Sequence, residues 1–120
     1  IRADISNAQA ALADITGQVP SFFRPTAGLR NPLLDPVLAS LDLKLASWTR
    51  RPYDTRNGDP RRIHARLASD LGPGDILLLH DRHGALTKDG EPVILAALPQ
   101  ILGSIEQARL NPVTLKAALQ

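Results

Sequence analysis

The run from Ile76 to Leu79 is the feature that most constrains the fold of this chain. These consecutive apolar residues have the length of a strand and follow the turn signal Gly72-Pro73-Gly74. An unbroken apolar run favours a parallel strand covered on both faces over a surface strand, whose residues would alternate in polarity. His80 comes directly after the run, at the carboxyl end of the predicted strand.

The rest of the chain alternates helical and strand-like segments. A first helix is predicted over residues 4–16, with Asp4 or Ser6 as its N-cap, Gly17 as its C-cap and apolar residues at helical spacing: Ala8, Ala11, Leu12 and Ile15. Two more helices are predicted to begin after Asn31-Pro32 and after Asp59-Pro60. A fourth is predicted after Pro92, and its core-facing residues are Ile94, Leu98, Ile101, Leu102 and Ile105. Further strands are predicted at Phe22-Phe23, Leu43 to Trp48 and Val113 to Leu115. Strands separated by single helices imply crossover connections and a parallel sheet. The predicted class is therefore α/β, either a barrel or an open doubly wound sheet.

Composition limits the classes of function. The 120 residues, 43% hydrophobic and 22% charged, have the balance of one globular domain or part of one. Because the net charge is only +2 and the basic residues are scattered, no nucleic-acid-binding surface is expected. No apolar stretch approaches the roughly 20 residues of a membrane span. The absence of cysteine excludes disulfides and thiolate metal sites and leaves the cellular compartment open.

Both α/β architectures place function in the loops that follow the carboxyl ends of the strands. His80 lies in one such loop, and an imidazole there can act as a general acid or base near neutral pH. It can equally cap the strand by bonding a backbone carbonyl, and a metal site with His83 would lack a third ligand at a recognised spacing. Arg24, held between Phe23 and a proline, suits a bidentate grip on a carboxylate. Trp48 fits either a core aromatic or the wall of a sugar-binding groove.

The three strand-end loops resemble the third, fourth and fifth motifs of the polysaccharide deacetylase family, also known as the NodB-homology family or carbohydrate esterase family four. The matching segments are FFRPTAG at 22–28, LASWTRRPYDTRNGD at 45–59 and GDILLLHD at 74–81. The resemblance implies the C-terminal half of a distorted parallel (β/α) barrel. Residues 1–120 would then be the C-terminal portion of a single catalytic domain.

Roles for individual residues follow from the resemblance. It implies that Arg24 orients the catalytic base, that the backbone N–H of Ala27 helps to hold the oxyanion, and that His80 is the general acid that protonates the leaving amine. It also implies that Asp54 pairs with His80 and that Leu78 lines the pocket for the acetyl methyl group. The expected reaction is removal of an N-acetyl group from a carbohydrate.

The family's first two motifs, which supply the base aspartate and the metal ligands, do not occur in the sequence. The divalent metal, with zinc as the first expectation, is therefore expected to bind ligands outside this chain. The expected partners are an N-acetylated carbohydrate and the missing N-terminal half of the barrel, and the chain is expected to be a piece of a longer protein. Thr26, Ala27 and Thr55 depart from the family's motifs, which leaves the glycan unidentified. Two alternative functions stay open. One is an allantoinase-like amide hydrolase on the same barrel, and the other is a degenerate, non-catalytic module that binds glycans or a partner chain.

Overall fold

A computed structural model describes residues 1–119 of the chain. The helices are α1 (Arg2–Thr16), α2 (Leu34–Ser40), α3 (Pro60–Ala68), α4 (Val93–Gln107) and α5 (Leu115–Ala118), with a 3-10 turn at Thr26–Gly28; the strands are β1 (Phe22–Phe23) and β2 (Lys44–Leu45). The chain divides into two compact units, Ile1–Ser47 and Trp48–Gln120. None of the helices in residues 1–119 combines the length and the hydropathy of a membrane-spanning segment.

The first unit contains the parallel pairing that the sequence predicts. Strand β1 pairs in parallel with β2, with Phe22 opposite Lys44 and Phe23 opposite Leu45. On either side of this register, the N–H of Lys44 donates to the carbonyl of Ser21 and the N–H of Ala46 donates to that of Phe23. The predicted strand at Leu43 to Trp48 is therefore present, but it is shorter than expected. Helices together with a parallel sheet agree with the α/β class.

Helix α1 forms where predicted, but it buries a different residue. Its left-handed C-cap at Gly17 is confirmed, with φ 69°. The predicted caps at Asp4 or Ser6 are wrong, because the helix begins at Arg2. Asp4 lies in the first turn instead, where its negative charge interacts favourably with the positive end of the helix dipole. Leu12 and Ile15 are 49% and 81% exposed, whereas Ile5 is buried. The buried cluster of this unit is Ile5, Leu34, Leu38 and Leu43.

The core of the second unit lies between α3 and α4. Ile63 and Leu67 of α3, four residues apart, pack with Val93, Ala97 and Ile101 of α4, which share the same spacing. All five are essentially inaccessible to solvent, and each of the larger side chains stabilises the fold by about 1.5–3 kcal/mol relative to an exposed position. The predicted inward position of Leu102 is wrong: it is half exposed because it lies one residue, and about 100° of helix rotation, beyond Ile101.

The Ile76 to Leu79 run forms one parallel bridge instead of a full strand. Leu77 pairs with Arg50, whose N–H donates to the carbonyl of Ile76 and whose carbonyl accepts from Leu78. The next rung of a parallel ladder would require an N–H at position 52, and Pro52 has none. The prediction of parallel pairing is therefore confirmed for this rung, and the prediction of a regular strand is wrong.

The predicted strand at Val113 to Leu115 is also wrong. Residues 110–114 form no regular element, and a short helix, α5, begins at Leu115. The Thr114 side chain accepts a hydrogen bond from the N–H of Ala117, which is the geometry of a helix N-cap. The apolar pair Val113 and Leu115 suggested a strand, whereas Thr114 is the residue that decides the local structure.

Candidate active site

The second unit brings Asp54 and His80 into contact. One carboxylate oxygen of Asp54 lies 2.8 Å from Nδ1 of His80, and the other accepts the backbone N–H of His80 at 2.8 Å. The Asp54 side chain is fully buried, while that of His80 is 35% exposed. The pairing of Asp54 with His80 that the resemblance implies is therefore present as a hydrogen bond.

This geometry fixes both the orientation and the tautomer of the His80 ring. An ionised carboxylate can only accept hydrogen bonds, so Nδ1 of His80 carries the hydrogen that faces Asp54. The other ring nitrogen, Nε2, is left to exchange a proton with a neighbouring group. A carboxylate that holds Nδ1 in this way keeps the ring oriented, with Nε2 available for the proton transfer that a general acid or base performs.

Local backbone geometry holds Asp54 in the interior. Tyr53, the residue before it, has a positive φ of 60° and accepts two hydrogen bonds on its carbonyl, from the N–H groups of Arg56 and Asn57. The carbonyl of Asp54 accepts the N–H of Ala85 at 2.7 Å. The loop that carries the carboxylate is therefore tied to the segment that follows His80.

A second polar network holds the strand ends together. The carboxylate of Asp75 accepts hydrogen bonds from the N–H of Gly72, the hydroxyl of Thr49 and Nε of Arg50, at 2.7 to 2.9 Å. The N–H of Gly72 and the Thr49 hydroxyl hold the pKa of Asp75 below its ordinary value, and Arg50 acts in the same direction. The Arg50 guanidinium also donates to the carbonyls of Ser69 and Asp70. Sequence reasoning missed this network, although Asp75 directly follows the glycine turn.

Two predicted substrate-binding residues also lie in the second unit. Leu78 is buried, and its N–H donates to the carbonyl of Arg50 at 3.1 Å. Trp48 is partly buried, and the guanidinium of Arg51 lies 5.8 Å from the centre of its indole. The proposed contacts of Leu78 and Trp48 with a substrate stay predictions.

Arg24 and Ala27 lie in the first unit, after β1. A guanidinium nitrogen of Arg24 donates to the carbonyl of Ser47 at 3.3 Å. Ala27 has φ 55° and ψ 13°, a left-handed conformation that costs a non-glycine residue about 1–2 kcal/mol. The catalytic roles of both residues stay predictions.

Residues 1–119 do not form a metal site by themselves. No three histidine, aspartate or glutamate side chains in this part of the chain lie together as a ligand set. His83 is exposed with φ 57°, and Nε2 of His64 is bonded to the hydroxyl of Ser104 at 2.8 Å. The donor set of this part of the chain therefore does not fit a catalytic metal.

Several solved structures match the fold of the chain. It is similar to a family 4 carbohydrate esterase from Streptomyces lividans, with 27% identity over 94% of this chain and 54% of that one and a TM-score of 0.76. It is also similar to a Bc1960 peptidoglycan N-acetylglucosamine deacetylase, with 19% identity over 98% and 53% of the two chains and a TM-score of 0.84. No protein-family model matches the sequence.

A third match is a family 4 pseudoenzyme from Bacillus anthracis, with 16% identity over 99% of this chain and 39% of that chain and a TM-score of 0.83. The chain thus spans about half the length, or less, of the structures it matches. The expected resemblance to the polysaccharide deacetylases of carbohydrate esterase family four is confirmed. The fold is that of a part of these proteins.

Proposed function

We propose that this chain is part of a hydrolase that removes N-acetyl groups from a glycan or an amino sugar. The observation that carries the proposal is the pairing of buried Asp54 with partly exposed His80 in a fold similar to that of carbohydrate esterases. This pair can protonate a leaving amine, because Nδ1 of the imidazole is held by the Asp54 carboxylate while Nε2 is available to transfer a proton to the substrate.

In the proposed reaction, water adds to the acetyl carbonyl and the bond between carbon and nitrogen then breaks. Nε2 of protonated His80 gives its proton to the departing nitrogen, so the products are acetate and a free amine. Asp54 keeps Nδ1 protonated and stabilises the positive charge on the ring until the proton has left. The base that takes the proton of the attacking water is expected in residues outside this chain.

The remaining residues have supporting roles in the proposal. Arg24 stabilises the carboxylate of that base, and the N–H of Ala27 donates to the oxyanion that develops on the acetyl oxygen. Leu78 lines the pocket of the acetyl methyl group, and Trp48 forms a wall against the sugar. A divalent metal, with zinc as the first candidate, is proposed to bind through residues outside these 120.

Acetate release from N-acetylglucosamine oligomers tests the proposal with the complete protein. His80→Asn keeps a group that can bond Asp54 but cannot transfer a proton, so we expect kcat to fall by about 10²-fold or more. His83→Asn is the matched control, since His83 is exposed in the same loop and asparagine tolerates its left-handed backbone. Equal activity in the two variants would remove His80 from the mechanism.

A second candidate function is glycan binding without hydrolysis. The match to a pseudoenzyme with a TM-score of 0.83 favours it, because the same fold occurs there in a protein described as a pseudoenzyme. Oligomer binding by the complete protein without any acetate release would select this candidate.

We also expect residues 1–120 alone to bind no catalytic metal and to have no deacetylase activity. A hydrolytic zinc site normally has three protein ligands, and His80 must stay free as the acid. Metal analysis and an acetate-release assay on the purified 120-residue chain check both parts. Stoichiometric zinc together with acetate release would contradict the expectation.

A further inference from the structure

Two arginines stack on one tyrosine next to the candidate site. The guanidinium carbon of Arg51 lies 4.8 Å from the centre of the Tyr53 ring, and that of Arg66 lies 5.3 Å from the same point. Both distances are within the range of a cation–π interaction. We refer to Arg51, Tyr53 and Arg66 as the arginine–tyrosine cluster.

Within residues 1–119, the two positive charges of this cluster have no carboxylate partner. Arg50 pairs with Asp75, and Arg62 lies 3.7 Å from Asp59. Among residues 1–119, by contrast, no carboxylate lies within ion-pair distance of Arg51 or Arg66. Two like charges on one ring repel each other, and an exposed cation–π contact stabilises by only about 0.5–1 kcal/mol. A bound anion would relieve this repulsion.

The position of the cluster links it to the proposed reaction. Tyr53 is 45% exposed and directly precedes buried Asp54, whose carboxylate holds His80. The turn that begins at Tyr53 is fixed by two hydrogen bonds to its carbonyl, so the ring is presented from a constrained backbone. The Cα atoms of Tyr53 and Asp54 lie about 3.8 Å apart, so the cluster is joined through one peptide unit to the carboxylate that holds His80.

We infer that Arg51 and Arg66 bind an anionic group of the glycan, a carboxylate or a phosphate, and thereby make an acidic polysaccharide the preferred substrate. This inference rests on the proposed function. Guanidinium groups present planar pairs of N–H donors that match both kinds of anion, and Arg is the usual residue where such recognition is needed. Because the cluster is exposed, the preference depends on ionic strength.

The test compares substrates of one length in the complete protein: a neutral N-acetylglucosamine oligomer, an oligomer that carries carboxylates and an oligomer that carries phosphates. The variant is Arg51→Gln with Arg66→Gln, which removes both charges but keeps most of the side-chain volume. Arg61→Gln is the matched control, since Arg61 lies on the same helix α3 and is exposed. Thermal unfolding of each variant establishes that it is folded, and Arg66→Gln alone replaces the double variant if that one does not fold.

For the wild type and the Arg61→Gln control we expect a lower KM for an acidic oligomer than for the neutral one, and we expect added salt to remove the difference. The double variant should raise the KM for the acidic oligomer by about tenfold, with the neutral KM and kcat unchanged. The oligomer that shows the larger effect identifies carboxylate or phosphate as the ligand. Equal changes on neutral and acidic oligomers, or a wild type without preference, would overturn the inference.

A protein that has no deacetylase activity would still allow a test of anion binding by the cluster. If the wild type releases acetate from none of the oligomers, calorimetric titration with the same compounds decides the inference on its own. Tighter binding of an acidic oligomer that is lost in the double variant supports the arginine–tyrosine cluster as an anion site. Equal binding of neutral and acidic oligomers refutes it.

Discussion

Replacement of Asp54 by asparagine perturbs the candidate site with almost no change in volume. The carboxylate accepts two hydrogen bonds from His80, one from the backbone N–H and one from Nδ1, each at 2.8 Å. An amide has one accepting oxygen, so one of the two donors must face the NH₂ group. If that donor is Nδ1, the ring changes to the tautomer with hydrogen on Nε2, and Nδ1 accepts from the amide instead of donating to a carboxylate.

The expected losses can be estimated separately for catalysis and stability. General acid catalysis contributes about 10²–10⁴-fold, so Asp54→Asn should lower kcat by at least about 10²-fold while KM changes little. Loss of one hydrogen bond to a charged group costs about 1.5–3 kcal/mol, and this loss is partly offset because a neutral amide is easier to bury than a carboxylate. We therefore expect a decrease in the free energy of unfolding of about 2 kcal/mol, or roughly 5 °C in Tm.

Steady-state acetate release and thermal unfolding of the complete protein measure the two effects, and ¹⁵N NMR of the histidine rings reports the tautomer of His80. Asp81→Asn is the matched control, since Asp81 is an exposed aspartate directly after His80. A variant that unfolds about 5 °C lower but keeps its kcat within about threefold of the wild type would refute the reasoning. Asp54 would then be a structural carboxylate, and His80 would not be the acid.

Three further predictions concern the surrounding residues. Arg24→Ala should lower kcat by more than it raises KM in the complete protein, and unchanged turnover would remove Arg24 from the mechanism. The pKa of Asp75 is lowered because its carboxylate accepts a hydrogen bond from the N–H of Gly72. The carboxylate of Asp75 therefore stabilises the fold at pH values above its unfolded-state pKa, and this stabilisation is lost as the pH falls through the lower folded-state pKa. Asp75→Asn should therefore lower Tm at pH 7, and the difference from the wild type should shrink below about pH 4; a difference that does not depend on pH would contradict this. Gly58→Ala would drive a Cβ atom into the backbone carbonyl of Leu86, so the free energy of unfolding should fall by about 1–3 kcal/mol, and an unchanged denaturant midpoint would show that this close approach relaxes freely.

Local signals in the sequence predicted several elements well. The Asp59-Pro60 pair opens α3 as expected, and the Asp59 side chain accepts from the N–H of Arg61. The C-cap at Gly17 and the start of α4 after Pro92 are also where the sequence places them. These features depend on residues within a few positions of each other, and for that reason the sequence alone predicts them.

Other features depend on partners that are distant in sequence. The apolar run at Ile76 to Leu79 indicated a strand, but whether a ladder forms is decided by its neighbour, where Pro52 cannot donate. Helical spacing identified the apolar residues of α1, but it could not tell that Leu12 and Ile15 are exposed while Ile5 is buried. Whether a helix residue is buried depends on which other segments pack against the helix, and the sequence of the helix itself does not specify those segments.

The candidate site also has features that the sequence indicates and features that only the tertiary structure decides. The residues by themselves indicated His80, at the end of an apolar run, as a side chain capable of chemistry, and the resemblance to a family selected Asp54 among the carboxylates of a polar loop. Only the tertiary structure decided that Asp54 is fully buried, that both of its oxygens bond His80, and that Arg51 and Arg66 share the ring of Tyr53. These contacts join segments up to 26 residues apart in the chain, and their hydrogen-bond directions, desolvation and charge balance exist only once the backbone has brought those segments together.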